Sequence, residues 1–149
     1  MKKMFSLTAA IAGIALLAAG CTKPSSETEL TLQLKISDIS STDFIVDVNP
    51  SNPEALYFVG LTPKNSQYES FGSPREVAEW FVEVSSNVEG VDWVHADGEY
   101  VHQGDLHFNA ADWWTIRPGR EYVILAFGVG EGGTVTTEPE CEFVSTPAE

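Results

Sequence analysis

The three histidines of this chain lie close together, in a segment that also carries carboxylates. His95, Glu99 and His102 would share one face of a helix, and His95 and His102 would also share a face of a hairpin turning at Asp97 and Gly98. Either geometry would bring two imidazoles and a carboxylate together, a ligand set suited to a divalent metal. The spacing matches no established zinc motif and a solvated surface is the competing interpretation, so we expect no metal or other cofactor.

The tryptophans suggest a second kind of chemistry, which is stacking on sugar rings. Trp93, Trp113 and Trp114 could form an aromatic platform for a glycan. Because adjacent residues of a strand point to opposite faces, we expect one of Trp113 and Trp114 to lie in the core and the other to be exposed or covered by a helix. Packing beneath Trp80 and Phe81 is the alternative to a ligand platform.

No catalytic constellation is recognisable in the sequence. It contains no Gly-x-Ser-x-Gly motif, no phosphate-binding loop and no dinucleotide fingerprint. Cys141 shares a strand face with Phe143, and no neighbour in sequence favours its thiolate, so we expect a small buried apolar side chain there. The sequence therefore predicts a protein that is not an enzyme and has no catalytic residues.

Cys21 carries the most specific signal for a covalent modification. It ends the run Leu16-Leu17-Ala18-Ala19-Gly20-Cys21, which follows a basic start at Lys2 and Lys3 and an apolar stretch from Leu7 to Leu17. This order resembles the signal peptide and lipobox of bacterial lipoproteins, in which the cysteine becomes the lipidated first residue of the mature chain. The 11 residues of the apolar stretch are too few for the ~20 of a membrane-spanning helix, which favours a removable signal.

The lipoprotein resemblance implies a domain plan and a location. Residues 1–20 are the expected signal peptide, and residues 21–29 are the lipidated cysteine with a flexible tether, because Thr22–Glu29 is polar and lacks any large apolar residue. We expect a cell-envelope protein anchored by lipid in the outer membrane of a Gram-negative bacterium. Its expected partners are that membrane and an unknown protein or glycan.

The charge balance of the chain is strongly acidic. Its 22 acidic and 8 basic residues give a net charge of −14, and loss of Lys2 and Lys3 with the signal peptide would leave 6 basic residues and a net charge of −16. Such a surface repels phosphate backbones and anionic headgroups, so we expect no nucleic-acid partner. Solubility explains the acidity, and binding of cations or of a basic partner is the alternative.

The remaining chain is long enough for one domain, and its apolar pattern is mainly that of strands. Alternation or apolar runs predict seven strands, at Leu30–Ile36, Asp43–Val48, Ala55–Leu61, Leu106–Phe108, Tyr122–Val129, around Val135, and at Cys141–Val144. Ser73-Pro74-Arg75-Glu76 is a capping box with proline at the first helical position, so a helix should begin there. Residues 91–103 fit either a hairpin or a broken second helix.

A turn before the fifth of these strand segments carries a second family resemblance. Ile116-Arg117-Pro118-Gly119-Arg120-Glu121-Tyr122-Val123-Ile124-Leu125-Ala126 is similar to the Leu-x-Pro-Gly-Thr-x-Tyr-x-Val-x-Ala stretch of fibronectin type III domains. In such domains the tyrosine hydroxyl returns to upstream backbone, which makes Pro118, Gly119 and Tyr122 an expected structural corner. The layout of residues 30–146 also resembles fibronectin-like domains of Bacteroides surface lipoproteins.

The resemblances imply a mainly β protein, specifically a fibronectin type III-like or Ig-like antiparallel β-sandwich with a helical insertion at about 73–103. The expected function is that of a lipid-anchored, non-enzymatic binding or structural module. The alternative is a glycan-binding accessory lipoprotein that uses exposed tryptophans.

Overall fold

Residues 30–65, 68–88, 90–97 and 99–149 are described by a computed structural model, and they form two antiparallel sheets and one long helix. The expected signal peptide, Cys21 and the tether to residue 29 lie outside these residues, as does Gly98. At this level the prediction of a mainly β sandwich with an inserted helix is confirmed.

The first sheet has three strands and the second has five. The first has the order β1-β2-β5, formed by Leu32–Ser37, Ile45–Pro50 and Leu106–Asn109. In the second, β4 (His102–Gln103) pairs with β3 (Leu56–Pro63), and β3 pairs with β6 (Glu121–Gly130). The strands β7 (Thr134–Val135) and β8 (Glu140–Ser145) both pair with β6.

Strand β6 is buried on both faces, which explains its uninterrupted apolar run Tyr122–Val129. Tyr122, Ile124 and Ala126 belong to the core between the two sheets. The alternate residues of β6 belong to a second core between this sheet and the long helix, together with Phe58, Val77 and Trp93. The domain therefore has three layers, namely sheet, sheet and helix.

The long helix α1 spans Pro74–Val88 and begins where the capping box predicts. The hydroxyl of Ser73 accepts a hydrogen bond from the backbone N–H of Glu76 at 3.3 Å. Arg75 then ties this end of the helix to β7 by donating from its guanidinium to the carbonyl of Val135 at 3.0 Å. Gly60 of β3 lets the helix approach closely, because a Cβ there would lie 2.8 Å from ring carbons of Phe81.

Residues 91–103 adopt neither of the two predicted structures. Only His102 and Gln103 are in a strand, and the described residues from 90 to 101 form turns, bends and irregular segments. The carboxylate of Asp97 explains this, because its Oδ1 accepts hydrogen bonds from the backbone N–H groups of Glu99, Tyr100 and Val101 at 2.8–2.9 Å. A side chain that takes three successive backbone donors replaces the bonds that a helix or hairpin ladder would make.

Two further short elements complete the described chain. A 3-10 turn spans Tyr68–Ser70, and a one-turn helix α2 spans Ala110–Trp113 directly after β5. In the described ranges, neither α1 nor α2 has the length and hydropathy that crossing a bilayer requires.

Candidate functional site

Trp93, one of the three predicted platform residues, is part of the core. It is 7% exposed, its indole N–H donates to the hydroxyl of Ser86 at 2.9 Å, and its ring packs 6.1 Å from that of Phe58. A satisfied, buried indole cannot stack on a ligand. Trp93 is therefore removed from the platform, and it holds the loop after α1 against the sheet.

Trp113 and Trp114 do not lie on a strand, which corrects the alternation that the sequence suggested. Trp113 is the last residue of α2, and Trp114 follows it in extended conformation. Their rings meet edge to face at 5.9 Å, and Trp114 also packs edge-on against Phe108 at 5.5 Å. Because a helical turn rather than a strand carries Trp113, both indoles lie on the same side of the domain.

Trp113 is the exposed member of the pair. Its ring is nearly parallel to that of Phe108 at 3.7 Å between centroids and to that of His102 at 5.2 Å, and 37% of the residue is exposed. Stacking on two buried rings fixes the plane of the indole before any ligand arrives. A fixed and partly exposed indole is suited to stacking or apolar contact with a ligand.

Asp43 fixes the turn that carries Trp113. Its Oδ1 accepts hydrogen bonds from the backbone N–H of Phe44 at 2.8 Å and of Ala111 at 2.9 Å, and its Oδ2 accepts one from the side chain of Asn109 at 2.8 Å. Burial raises the pKa of Asp43, but these hydrogen bonds outweigh burial and the pKa is lowered. The carboxylate therefore remains ionised near neutral pH and anchors the start of α2 to the preceding sheet.

The two indoles form one wall of a groove beside β3. Helix α1 forms the opposite wall with Phe81 and Ser85, and the loop after Asp97 contributes Glu99 and Tyr100. The groove has a volume of about 550 Å³ and is lined by Phe58, Val59, Gly60, Leu61, Phe81, Ser85, Glu99, Tyr100, Asp112, Trp113 and Trp114. This volume lies within the range of roughly 300–1,000 Å³ that is typical of small-molecule sites.

The groove is aromatic inside and acidic at its rim. Glu99 and Asp112 are exposed carboxylates, and no lysine or arginine is among the lining residues. The whole chain carries a net charge of −14. The local charge and the overall charge therefore have the same sign, which favours a ligand with a cationic or hydrogen-bond-donating part.

The three candidate metal ligands do not form a common site. His95 is exposed and its Nδ1 lies 3.0 Å from the carboxylate of Asp92, whereas His102 is 4% exposed and packed between Tyr57 and Trp113. Glu99 lies at the rim of the groove. No group of three or more His, Cys, Asp or Glu side chains in the described residues is arranged to hold a metal ion. The reason is local, because the Asp97 turn replaces the helix or hairpin that would align them.

His102 is a buried imidazole with an unusual environment. Its Nε2 is buried and has no hydrogen-bond partner among the described residues. Burial lowers the pKa of His102, and the nearby charge of Asp97 only partly opposes that effect. The ring is therefore neutral near pH 7 and acts as packing beneath Trp113.

Cys141 has the environment of an unreactive thiol. It is half-buried, and burial together with the charges of Glu140 and Glu142 raises its pKa to about 11, although a hydrogen bond with Tyr68 acts in the opposite direction. A thiol with that pKa is almost wholly protonated at neutral pH.

The predicted corner residues are not among the groove lining, and they join the turn before β6 to the C-terminal segment, where the backbone N–H of Gly119 donates to the carbonyl of Pro147 at 3.0 Å. The hydroxyl of Tyr122 accepts a hydrogen bond from the backbone N–H of Arg117 at 2.9 Å, across a turn formed by Pro118 and Gly119. Gly119 has a φ of +62°, which favours glycine. Thr146, which sequence reasoning missed, closes the same corner by donating from its hydroxyl to the carbonyl of Arg117 at 2.7 Å.

Several groove residues were not predicted from the sequence. Phe81 was assigned to the core, and Ser85 and Asp112 were not considered as ligand contacts, whereas Tyr100 was grouped with the tryptophans as a possible platform residue and does line the groove. A usable signal was the acidic residue directly before the Trp113-Trp114 pair, because a carboxylate beside an exposed aromatic is common in sites that bind polar ligands. The candidate lipidation residue, Cys21, lies outside the described residues.

Comparison with known proteins identifies no family for this chain. No protein-family model matches it, and no curated protein matches it. One solved structure that is similar comes from the computer-based redesign of a β-sandwich protein; it shares 15% identity, with 78% of this chain and 92% of that chain covered, at a TM-score of 0.42. Similarity at that level carries no information on function.

Proposed function

We propose that this protein is a lipid-anchored, non-enzymatic binding module of the bacterial cell envelope, and that the groove beside β3 is its binding site. One observation carries the second half of the proposal, namely the groove of about 550 Å³ whose wall is the fixed, partly exposed indole of Trp113. The lipobox-like run ending at Cys21 supports the first half.

We also propose that the sandwich is of the fibronectin type III class. The strand orders β1-β2-β5 in one sheet and β4-β3-β6-β8 in the other support this, since they give sheets of three and four principal strands. The position of Tyr122 at the start of β6, with its hydroxyl on the turn that enters the strand, is that of a tyrosine corner.

The chemistry of the described side chains supports a binding role over catalysis. The thiol of Cys141 is kept protonated, the imidazole of His102 is buried under an indole, and the rim carboxylates of Glu99 and Asp112 are exposed to solvent. Neither Cys141 nor His102 lines the groove, so neither is placed to act as a nucleophile or a general base on a molecule bound there.

The experiment is photo-crosslinking in intact cells from the rim of the groove. A benzophenone amino acid replaces Asp112, which is exposed and next to Trp113, and in a matched control it replaces Glu131, which is exposed and does not line the groove. We expect an adduct from position 112 that is absent from position 131 and is lost when Trp113→Ala is added. Equal labelling from both positions, or no adduct from position 112, would contradict the groove as the binding site.

A glycan is the second candidate ligand, favoured by the proximity of Trp113 to the carboxylate of Asp112. An indole supplies the stacking surface and a carboxylate accepts hydrogen bonds from sugar hydroxyls. Binding to an oligosaccharide array, with Trp113→Ala as the test variant and Phe143→Ala as the control, examines this candidate, because Phe143 is 55% exposed and lies outside the groove. Glycan binding that survives Trp113→Ala would speak against it.

A further inference from the structure

The outer edge of β3 is open along the groove. Strand β4 pairs only with Leu56 and Tyr57, so that from Phe58 to Pro63 no described strand lies beside β3 on this side. The groove lining includes the consecutive residues Phe58–Leu61. The unpaired edge of β3 therefore forms part of the groove.

The register of the sheet shows which backbone groups face this edge. Lys64 donates to the carbonyl of Glu121 at 3.0 Å, which makes that pair a hydrogen-bonded pair of the β3–β6 ladder. In an antiparallel ladder hydrogen-bonded and non-hydrogen-bonded pairs alternate, so Thr62, Gly60 and Phe58 also bond to β6. The N–H and C=O groups of Val59 and Leu61 then point away from β6 and into the groove.

The pairing at both ends of the open segment agrees with this assignment. The backbone groups of Tyr57 point to the same side of β3 as those of Val59 and Leu61, because these residues are two apart along the strand. That side is the one on which β4 lies, with His102 opposite Tyr57. Pro63 is the next residue of this series and has no N–H, so the backbone N–H groups that point toward the groove end at Leu61. Val59 and Leu61 are in non-bonded pairs of the β3–β6 ladder. Their backbone groups also take part in none of the described hydrogen bonds outside the ladders.

We propose that the groove binds an extended peptide segment of a partner protein, which adds to β3 as an edge strand. Alternating donors and acceptors at the strand repeat are matched best by another polypeptide backbone. The two walls suit alternate side chains of such a strand, one set facing Phe81 of α1 and the other facing Trp113 and Trp114. This inference rests on the proposed binding function and names its ligand class.

The acidic rim of the groove predicts the charge of the peptide segment that binds there. The rim carboxylates of Glu99 and Asp112 and the absence of lysine and arginine from the lining call for a segment that carries Lys or Arg beside its apolar residues. A second copy of this chain is disfavoured as the occupant, because two chains of net charge −14 would bring two acidic rims together. The partner is therefore a basic, strand-forming segment of another protein.

The test is panning of a displayed library of random eight-residue peptides against the full-length protein in detergent. The edge is blocked by Leu61→Pro, which deletes one donor aimed into the groove and leaves the β3–β6 bonds, and Leu61→Val is the matched control for the lost side chain. We expect enriched peptides that combine Lys or Arg with alternating apolar residues. Their affinity should fall about tenfold with Leu61→Pro and should be unchanged with Leu61→Val.

A second measurement uses the unaltered protein and so does not depend on the folding of Leu61→Pro. The selected peptide is synthesised with N-methyl groups on alternate backbone amides, in both phases, and binding to the unaltered protein is followed by Trp fluorescence. One phase should abolish binding and the other should preserve it. Equal binding by both phases, no enriched peptide, self-association of the protein through this edge, or oligosaccharide binding in place of peptide binding would overturn the proposal.

The two proposals fail in distinguishable ways. An adduct from position 112 that depends on Trp113, with no phase-dependent peptide, leaves the groove as a binding site and rejects the edge strand. Loss of both signals rejects the binding function itself.

Discussion

The carboxylate of Asp43 accepts a hydrogen bond from the backbone N–H of Ala111 at 2.9 Å, and this contact helps to join the segment just before β2 to the turn that presents Trp113. The same oxygen also accepts from the N–H of Phe44, whose carbonyl accepts from the N–H of Ala110 at 2.8 Å. The exposed indole is thus positioned by a residue that makes no contact with the groove.

Asp43→Ala should therefore weaken ligand binding without altering the groove lining. The substitution leaves the N–H groups of Phe44 and Ala111 without their acceptor, at a cost on the order of 1–3 kcal/mol in the free energy of unfolding. Asp47→Ala is the matched control, because the side chain of Asp47 contacts His107 and not α2. Trp fluorescence and urea unfolding measure the two effects, and equal results for the two variants would contradict the positioning role.

Tyr122→Phe should lower the free energy of unfolding by about 1 kcal/mol or more. The ring remains in the core, and only the acceptor for the N–H of Arg117 is lost. Thr146→Val removes the second bond of the same corner and should have a similar effect. An unchanged melting temperature in both variants would show that the corner does not stabilise the domain.

Gly60→Ala should disturb the contact between β3 and α1. The new methyl group would lie 2.8 Å from the ring of Phe81, so the ring or the helix must move, at a cost of roughly 1–3 kcal/mol in stability. Gly72→Ala is a useful comparison, because its nearest neighbour is the carboxylate of the exposed Glu76, which can rotate away. If thermal unfolding shows the same loss for both, close helix packing is not the cause.

The buried His102 predicts a pH dependence of stability. Its pKa in the folded state is lowered by burial, so between that pKa and the value of about 6.5 in the unfolded chain the unfolded state binds more protons. The free energy of unfolding should therefore be highest above about pH 6.5 and should fall as the pH drops from 7 to 5. Chemical denaturation of the natural protein and of His102→Phe measures this, since the variant keeps the other two histidines and should have a shallower slope. Equal slopes would contradict the prediction.

Cys21→Ala should release the protein from the membrane. Each buried methylene of an acyl chain contributes about 0.8 kcal/mol to membrane binding, so loss of the lipid removes the anchor. Cys141→Ala is the natural control, because these are the two cysteines of the chain. Detergent phase partitioning reads out both variants, and a Cys21→Ala protein that remains in the detergent phase would contradict lipidation.

The strands and the start of the helix could be predicted from the sequence because local rules determine them. Alternation located β1 and β2 within two residues of their ends, and Ser73 with Glu76 located the start of α1. The groove could not be predicted in the same way, because it depends on contacts between residues distant in sequence. Asp43 and Ala111 are 68 positions apart, and nothing local to either residue indicates the pairing.

The errors at residues 91–103 and at Trp113 have a common physical cause. In both places a short polar side chain captures backbone N–H groups, Asp97 for the first segment and Asp43 for the second. Such capture bends the chain against its apolar pattern, so periodicity alone gives the wrong element. The metal hypothesis for His95, Glu99 and His102 depended on that periodicity.

The sharing of β6 between two cores has a consequence for how the domain unfolds. Tyr122, Ile124 and Ala126 belong to the core between the sheets, and Val123, Leu125 and Phe127 belong to the core beneath α1. Neither core can be opened without exposing a strand that the other core also needs. Helix α1 and the two sheets should therefore unfold as one cooperative unit. The helix that forms one wall of the groove should then resist local unfolding as strongly as the sheets do.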